Sequence, residues 1–275
     1  MAIVAISRGT LRGASELAQR VADALDVPCV SREVVVDAAR RFGVDPEELT
    51  AHVERPFTFF DRYDTGRRFY LACVRAELCR RASEGPFVYH GHDGHLLLDG
   101  VPAVLRVRVV APMAWRVEAV MQSEGLDRSR AARHVRRMDA HRARWTRFLY
   151  GVDWRDPELY DLVVNVGRLD LDDAASVVVG MAQRPTFATT PEALHKAADL
   201  ALAARVEAEL LRVPEVRRVE LSVSAQGGIV TIDGHTRFQP LRETIEQTAR
   251  KVTGVRDVRM RMEVPVDSLS RRDWA

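Results

Sequence analysis

Apolar residues fall along this chain in two alternating rhythms. Short runs rich in β-branched side chains, Ala2 to Ile6, Val27 to Val30, Phe87 to Tyr89, Val104 to Val110 and Leu162 to Val166, predict buried strands. Between them the apolar positions recur at helical spacing. Leu17, Val21, Ala24 and Leu25 make one stripe, and Val34 to Phe42 makes another that Gly43 stops. Asp45-Pro46 reads as an N-cap followed by proline in the first turn, and Leu71, Val74 and Leu78 support a helix from Phe69 to Ala82. Further helices are expected over Met113 to Glu124, Asp127 to about Trp145, and Leu171 to Met181. The aromatic and arginine-rich stretch from His52 to Tyr70 has no assignable period. Strands alternating with helices imply an α/β domain, a parallel sheet with helices on both faces.

After Arg184-Pro185 to Pro191, a Pro/Thr segment without periodicity, the pattern changes. Leu194 to Leu211 reads as one helix with Leu200, Val206, Leu210 and Leu211 on its buried face. Val219 to Val223 alternates with period two, Ala225 to Gly228 turns the chain, and Ile229 to Ile232 completes a hairpin. A helix over Leu241 to Val252 and a strand over Val258 to Val264 follow. The expected plan is therefore a first domain over 1–183, a linker over 184–193, a small α+β domain over 194–264 and a tail over 265–275.

Composition changes this picture little. The net charge of +2 gives no reason to expect nucleic acid as a partner. No apolar run approaches the ~20 residues of a membrane span, and no signal-like segment opens the sequence. Cys29, Cys73 and Cys79 lack paired or metal-type spacing, which suits a reducing compartment and a cytoplasmic protein. Nearly all basic residues are arginine, the first lysine being Lys196, so no site before it can use a lysine.

Candidate chemistry begins at the loop after the first strand. A strand, a glycine-bearing loop and a helix make an anion cradle from loop N–H groups and the helix N-terminus. The segment is Ser7-Arg8-Gly9-Thr10-Leu11-Arg12-Gly13-Ala14-Ser15. Gly13 holds the final glycine position of a Walker loop, Ala14 stands where its lysine would, and Ser15 is available as the hydroxyl. His90, His92 and His95 around Asp93 could suggest a metal, but a zinc site needs three or four converging ligands and no fourth is evident, so no metal site is assigned.

Ile6-Ser7-Arg8, the glycine loop and Glu16-Leu17-Ala18 resemble the cytidylate-kinase-like family. Val27 to Glu33, Phe87 to Gly94, the arginine-rich stretch Arg136 to Arg144, and Asp153-Trp154 with Tyr160 to Leu169 are similar to its further motifs in the same order. This resemblance covers about Ala2 to Gln183 and implies a P-loop kinase-like sheet that binds nucleotide, with ATP and Mg2+ as cofactors. It implies that Arg12, Gly13 and Ser15 hold donor phosphates, that Arg137, Arg142 and Arg144 close from a lid, and that Arg32, His92 and Asp93 sit on the acceptor side. The chain departs from the family pattern at Ser31, where an aspartate is usual, and at His92, where an arginine would grip the acceptor phosphate.

Residues from about Leu194 to Val264 resemble the BON domain, through Val206 to Leu210, Val219 to Val223, Gly228 to Gly234 and Ala249 to Val258. That resemblance implies a regulatory or tethering module without catalytic chemistry, whose partner is a phospholipid, a small ligand or a protein. Two functions follow as alternatives. One is phosphate transfer from ATP to a nucleoside monophosphate. The other is a non-catalytic kinase relative that binds nucleotide or a partner.

Overall fold

The structure is a computed structural model, which describes residues 2–8, 13–54, 65–91, 93–236 and 238–263. The first sheet is formed by β1 (Ile3–Arg8), β2 (Cys29–Val30), β3 (Val88–Gly91), β4 (Val104–Val110) and β5 (Leu162–Asn165), in the order β2-β3-β1-β4-β5. Every pairing is parallel, and β1 sits at the centre, with Val4 opposite both Val88 and Leu105. Parallel strands must be covered on both faces, and the β1 side chains divide accordingly. Val4 and Ile6 pack with Leu17 and Val21 of α1 (Gly13–Leu25) and Val178 of α8 (Leu171–Ala182). Ile3 and Ala5 face the opposite layer, with Val34 of α2 (Glu33–Phe42), Leu49 of α3 (Pro46–Glu54) and Leu78 of α4 (Thr65–Glu84).

Several bounds differ from the sequence pattern for identifiable reasons. Helix α4 begins at Thr65, ahead of the apolar period that marked Phe69, and a short helix α5 (Gly94–Leu97) follows β3 without any stripe of its own. Helices α6 (Met113–Glu124) and α7 (Arg128–Tyr150) form a hairpin with a separate core of Val117, Val120, Ala131 and Val135. Asp127 caps α7 by accepting the Arg130 N–H at 2.8 Å, and the helix runs on past Trp145 to a left-handed Gly151.

The Pro/Thr stretch is ordered by local bonds. A single 3-10 turn spans Pro185–Phe187, and Thr190 accepts the Ala193 N–H to start α9 (Pro191–Arg212). Beyond it, β6 (Leu221–Gln226) and β7 (Ile229–His235) pair antiparallel through Gly227 and Gly228, both at positive φ as a tight hairpin turn requires. After α10 (Gln239–Arg250), β8 (Asp257–Glu263) adds to β7 in parallel. No helix among the described residues is long and apolar enough to cross a membrane.

Helix α9 belongs to two cores, where one buried face was expected. Ala197, Ala204, Ala208 and Leu211 pack into the first domain beside α4, with Leu200 against the same cluster. Val206 and Leu210 face the second core with Val230, Ile232 and Ile245. Small alanines let α4 and α9 approach closely, so unfolding either domain strips one side of the shared helix. The full chain is therefore expected to unfold in a single calorimetric transition, with the van't Hoff and calorimetric enthalpies equal. Two resolved transitions would show that α9 detaches from α4.

Candidate active site

Ligands of open parallel sheets bind in the crevice beyond the carboxyl ends of the strands. Here the ends of three neighbouring strands align Ser7 of β1 with Gly91 of β3 and Arg108 of β4. Ser7 is buried, and its hydroxyl favours the ionised Tyr160 phenol, easing the rise in pKa that burial imposes on it. That phenol in turn donates to the Trp154 carbonyl at 2.7 Å. The Arg108 guanidinium carbon lies 4.8 Å from the Trp154 ring centre and 5.7 Å from that of Tyr160, so an arginine of the interior strand β4 is held against aromatic faces.

Beside this row lies a cavity of about 310 Å3. Arg32 opens it at the start of α2, Asp93 stands after β3, and Arg142 enters from α7, with His90, His141 and Trp145 completing the polar wall. Asp93 takes a left-handed conformation at φ 55° and accepts the Trp145 indole N–H at 2.8 Å, pinning α7 to the strand end. Trp145 is covered on its face by Arg67, 3.7 Å from the ring. Tyr89 lies across the backbone here: a Cβ on Gly91 or Gly94 would come within 2.4 Å or 2.3 Å of its side chain, so a side chain at either position would displace the Tyr89 ring.

Of the residues expected on the acceptor side or the lid, Arg32, Asp93 and Arg142 therefore share one cavity. Arg137 and Arg144 are exposed elsewhere on α7 and do not line it. Asp139 pairs bidentately with Arg116 of α6 at 2.5 and 2.8 Å, which ties the hairpin together. On the donor side, Gly13 and Ala14 are buried in the first turn of α1, and Ser15 is half-buried beside them. Gly9, Thr10, Arg12 and His92 lie outside the described residues, and so does the side chain of Arg8. The sequence pattern did not mark Arg67, Arg108, Trp145, Trp154 or Tyr160 as site residues. The Asp153-Trp154 and Tyr160-Asp161 pairs were the available signal, since buried aromatics with polar tips attract partners.

Burial sets opposite protonation tendencies on two neighbours. It pushes the Asp93 carboxyl up to about 6, against the pull of Arg142 and the Trp145 N–H. It holds the His95 imidazole down to about 4, with Arg106 and Arg108 adding to the effect. His95 is 3% exposed, stacks on Tyr160 at 4.6 Å, and neither ring nitrogen has a partner among the described residues. Its folded pKa lies below the ordinary 6.5, so the stability it allows is present above pH 6.5 and lost as pH falls toward 4, by about 3 kcal/mol. Asp93 has the opposite sign: its contribution is present below its ordinary 3.8 and lost as pH rises through about 6. The two oppose each other between these limits. Asp93→Asn is thus expected to lose unfolding free energy more steeply on acidification than the parent, and His95→Phe less steeply. Equal slopes in urea titrations of all three proteins would refute this.

The parallel sheet, its flanking helices and the crevice at the strand ends define a P-loop kinase-like nucleotide-binding fold. The chain belongs to the cytidylate kinase-like family, whose model matches residues 3–168, and it carries a BON domain matched over residues 198–265. It is 27% identical over 167 residues to a cytidylate kinase of Methanopyrus kandleri, covering 60% of this chain and 85% of that protein. A cytidylate kinase of Sulfolobus acidocaldarius is 25% identical over 174 residues, covering 62% and 89%. The fold is similar to that of an uncharacterized protein from Eubacterium ventriosum, with a TM-score of 0.52, 20% identity, and coverage of 66% of this chain and 97% of that one.

Proposed function

We propose that the first domain transfers a phosphoryl group from ATP to a nucleoside monophosphate, and that the BON domain serves as a regulatory or tethering module. The observation that carries this reading is the cavity that gathers Arg32, Asp93 and Arg142 from three separate segments at the sheet's carboxyl edge. Phosphoryl transfer depends on positioning and on neutralising charge, and these groups supply both on the acceptor side.

The donor side fits ATP with Mg2+ through the chemistry of its donor set. The first N–H groups of α1 have no intrahelical partner and favour phosphate. Gly13 would hold the donor phosphates with Arg12, and Ser15 supplies a hydroxyl oxygen of the kind Mg2+ takes. When bound, the metal would neutralise phosphate charge. Arg142 would neutralise charge on the phosphoryl group in transit, and Arg32 would orient the acceptor's phosphate. The exposed Arg137 and Arg144 remain candidates for closure over the nucleotide, and His92 for the acceptor side.

A second reading is nucleotide binding without turnover. It is favoured by Ala14, which stands where a Walker loop carries lysine, together with the lack of any lysine before Lys196. Purified protein with Mg-ATP and each nucleoside monophosphate distinguishes the two. Diphosphate formation supports transfer. Calorimetric nucleotide binding with no product supports the second reading, and absence of both removes the nucleotide assignment.

A further inference from the structure

Two arginines from the first domain and two from the second face a groove away from the cleft. It has a volume of about 530 Å3 and runs between the carboxyl-terminal end of α2 and α4 on one side and α9 with the β-turns of the second domain on the other. Arg41 of α2, Arg80 of α4, Arg205 of α9 and Arg256 just before β8 line it, and Phe42 and Leu202 give it an apolar wall.

The four guanidinium groups are unequally satisfied. Glu77, fully buried behind the wall, accepts Arg41 Nε at 3.0 Å and Arg80 Nε and Nη2 at 2.9 and 2.7 Å, which fixes both arginines in place. Arg205 donates from Nη2 to the Thr253 carbonyl, while its Nε is buried with no partner among the described residues. The stem of Arg256 lies over Gly228, where an added Cβ would come within 2.9 Å of its Cγ and Cδ. Its guanidinium has no hydrogen-bond or carboxylate partner among the described residues. Asp199 is the one acidic residue among those lining the groove, and its Oδ1 is occupied by the Gly227 N–H at 2.8 Å. Burial and then the Arg41 charge lower the pKa of Arg205, and the Glu209 carboxylate offsets them only in part. Arg205 and Arg256 thus line the groove without an ion pair to any carboxylate among the described residues, and Asp199 is the single acidic side chain in its wall, an arrangement that an added anion would relieve.

We propose that this inter-domain groove binds a phosphate ester carrying at least two negative charges and an apolar or aromatic body. Guanidinium forks match phosphate oxygens in pairs. The volume falls within the ~300–1,000 Å3 typical of small-molecule sites, and Phe42 and Leu202 suit the organic part. The site is independent of phosphate transfer, although α2 and α4 also line the acceptor cavity through Arg32, Val35, Leu71 and Val74.

Calorimetry on the full chain tests it with three probes: inorganic pyrophosphate, phenyl phosphate and the short-chain lipid dihexanoyl phosphatidate. Binding of phenyl phosphate assigns a soluble ester, and binding of phosphatidate alone assigns a lipid headgroup; either supports the site. In both cases Arg205→Gln and Arg256→Glu are each expected to weaken binding about tenfold, while Arg142→Ala in the cleft leaves it unchanged. Arg256 is exposed, so its variant keeps the test valid if Arg205→Gln fails to fold. The proposal is overturned if neither ester binds at millimolar concentration, if pyrophosphate alone binds, or if binding is lost in Arg142→Ala and kept in Arg256→Glu.

Discussion

Arg142→Ala is expected to lower kcat for diphosphate formation by about 10³-fold, the lower range for removing an arginine that stabilises a transferring phosphoryl group. The residue is singled out by position. It lines the cavity that also holds Arg32 and Asp93, and its guanidinium carbon lies 5.9 Å from the Trp154 ring centre. Arg137 and Arg144 are exposed on the same helix outside that cavity, so alanine at either should cost less than about tenfold by comparison. Arg142→Lys keeps the charge but loses the planar fork and should recover only part of the rate. Steady-state kinetics with Mg-ATP and the preferred monophosphate decide the matter. An unchanged kcat in Arg142→Ala, beside a collapsed one in Arg144→Ala, would move the catalytic assignment out of the cavity.

Glu77→Ala is expected to destabilise the protein by about 3 kcal/mol, the low end for breaking a buried ion pair. The low end applies because the arginines around it retain solvent contact: their side chains are 43%, 27% and 23% exposed against 1% for Glu77. Burial works to raise the Glu77 pKa, but the bonds from Arg80 and the charges of Arg41 and Arg81 outweigh it and hold the carboxyl below its ordinary range. Without the carboxylate, three guanidinium groups would face one another between α2 and α4. The loss should appear as a lower urea midpoint at unchanged slope, with Tm falling by roughly 6–12 °C. Glu77→Gln keeps the volume and should be nearly as damaging if charge is the cause. A neutral Glu77→Gln together with a damaging Glu77→Ala would assign the effect to packing.

Much of the first domain was legible because its strands are short β-branched runs buried on both faces, which few other environments favour. The bounds of α6 were readable to the residue, and the end of α2 was marked by Gly43. Other elements carried weaker signals. Helix α5 has only four residues and no room for a stripe, and its place is fixed by Asp93 and by Tyr89 lying over Gly94. The second domain's first strand begins at Leu221 because a 3-10 turn at Val216–Arg218 takes the residues before it, although alternation starts at Val219.

The site divides in the same way. Local motifs pointed to Arg32, Asp93 and Arg142, which lie far apart in sequence and line a single cavity. They did not separate Arg142 from Arg137 and Arg144, because helical spacing alone cannot say which face of an arginine-rich helix meets the sheet. Nor did they indicate the arginine–aromatic contacts of Arg67, Arg108, Trp145 and Trp154, which join residues from different elements.

By itself the sequence determined the alternation of strands and helices, the change of pattern after the Pro/Thr segment and both family resemblances, since these depend on residue type at short range. Only the tertiary structure decided that α9 is shared between two cores, that Arg142 alone of the three arginines Arg137, Arg142 and Arg144 lines the cavity with Arg32 and Asp93, and that four arginines line a groove between domains. Those outcomes depend on the relative placement of helices packed through small alanines, and an alanine-rich helix face carries little information about which neighbour it will meet.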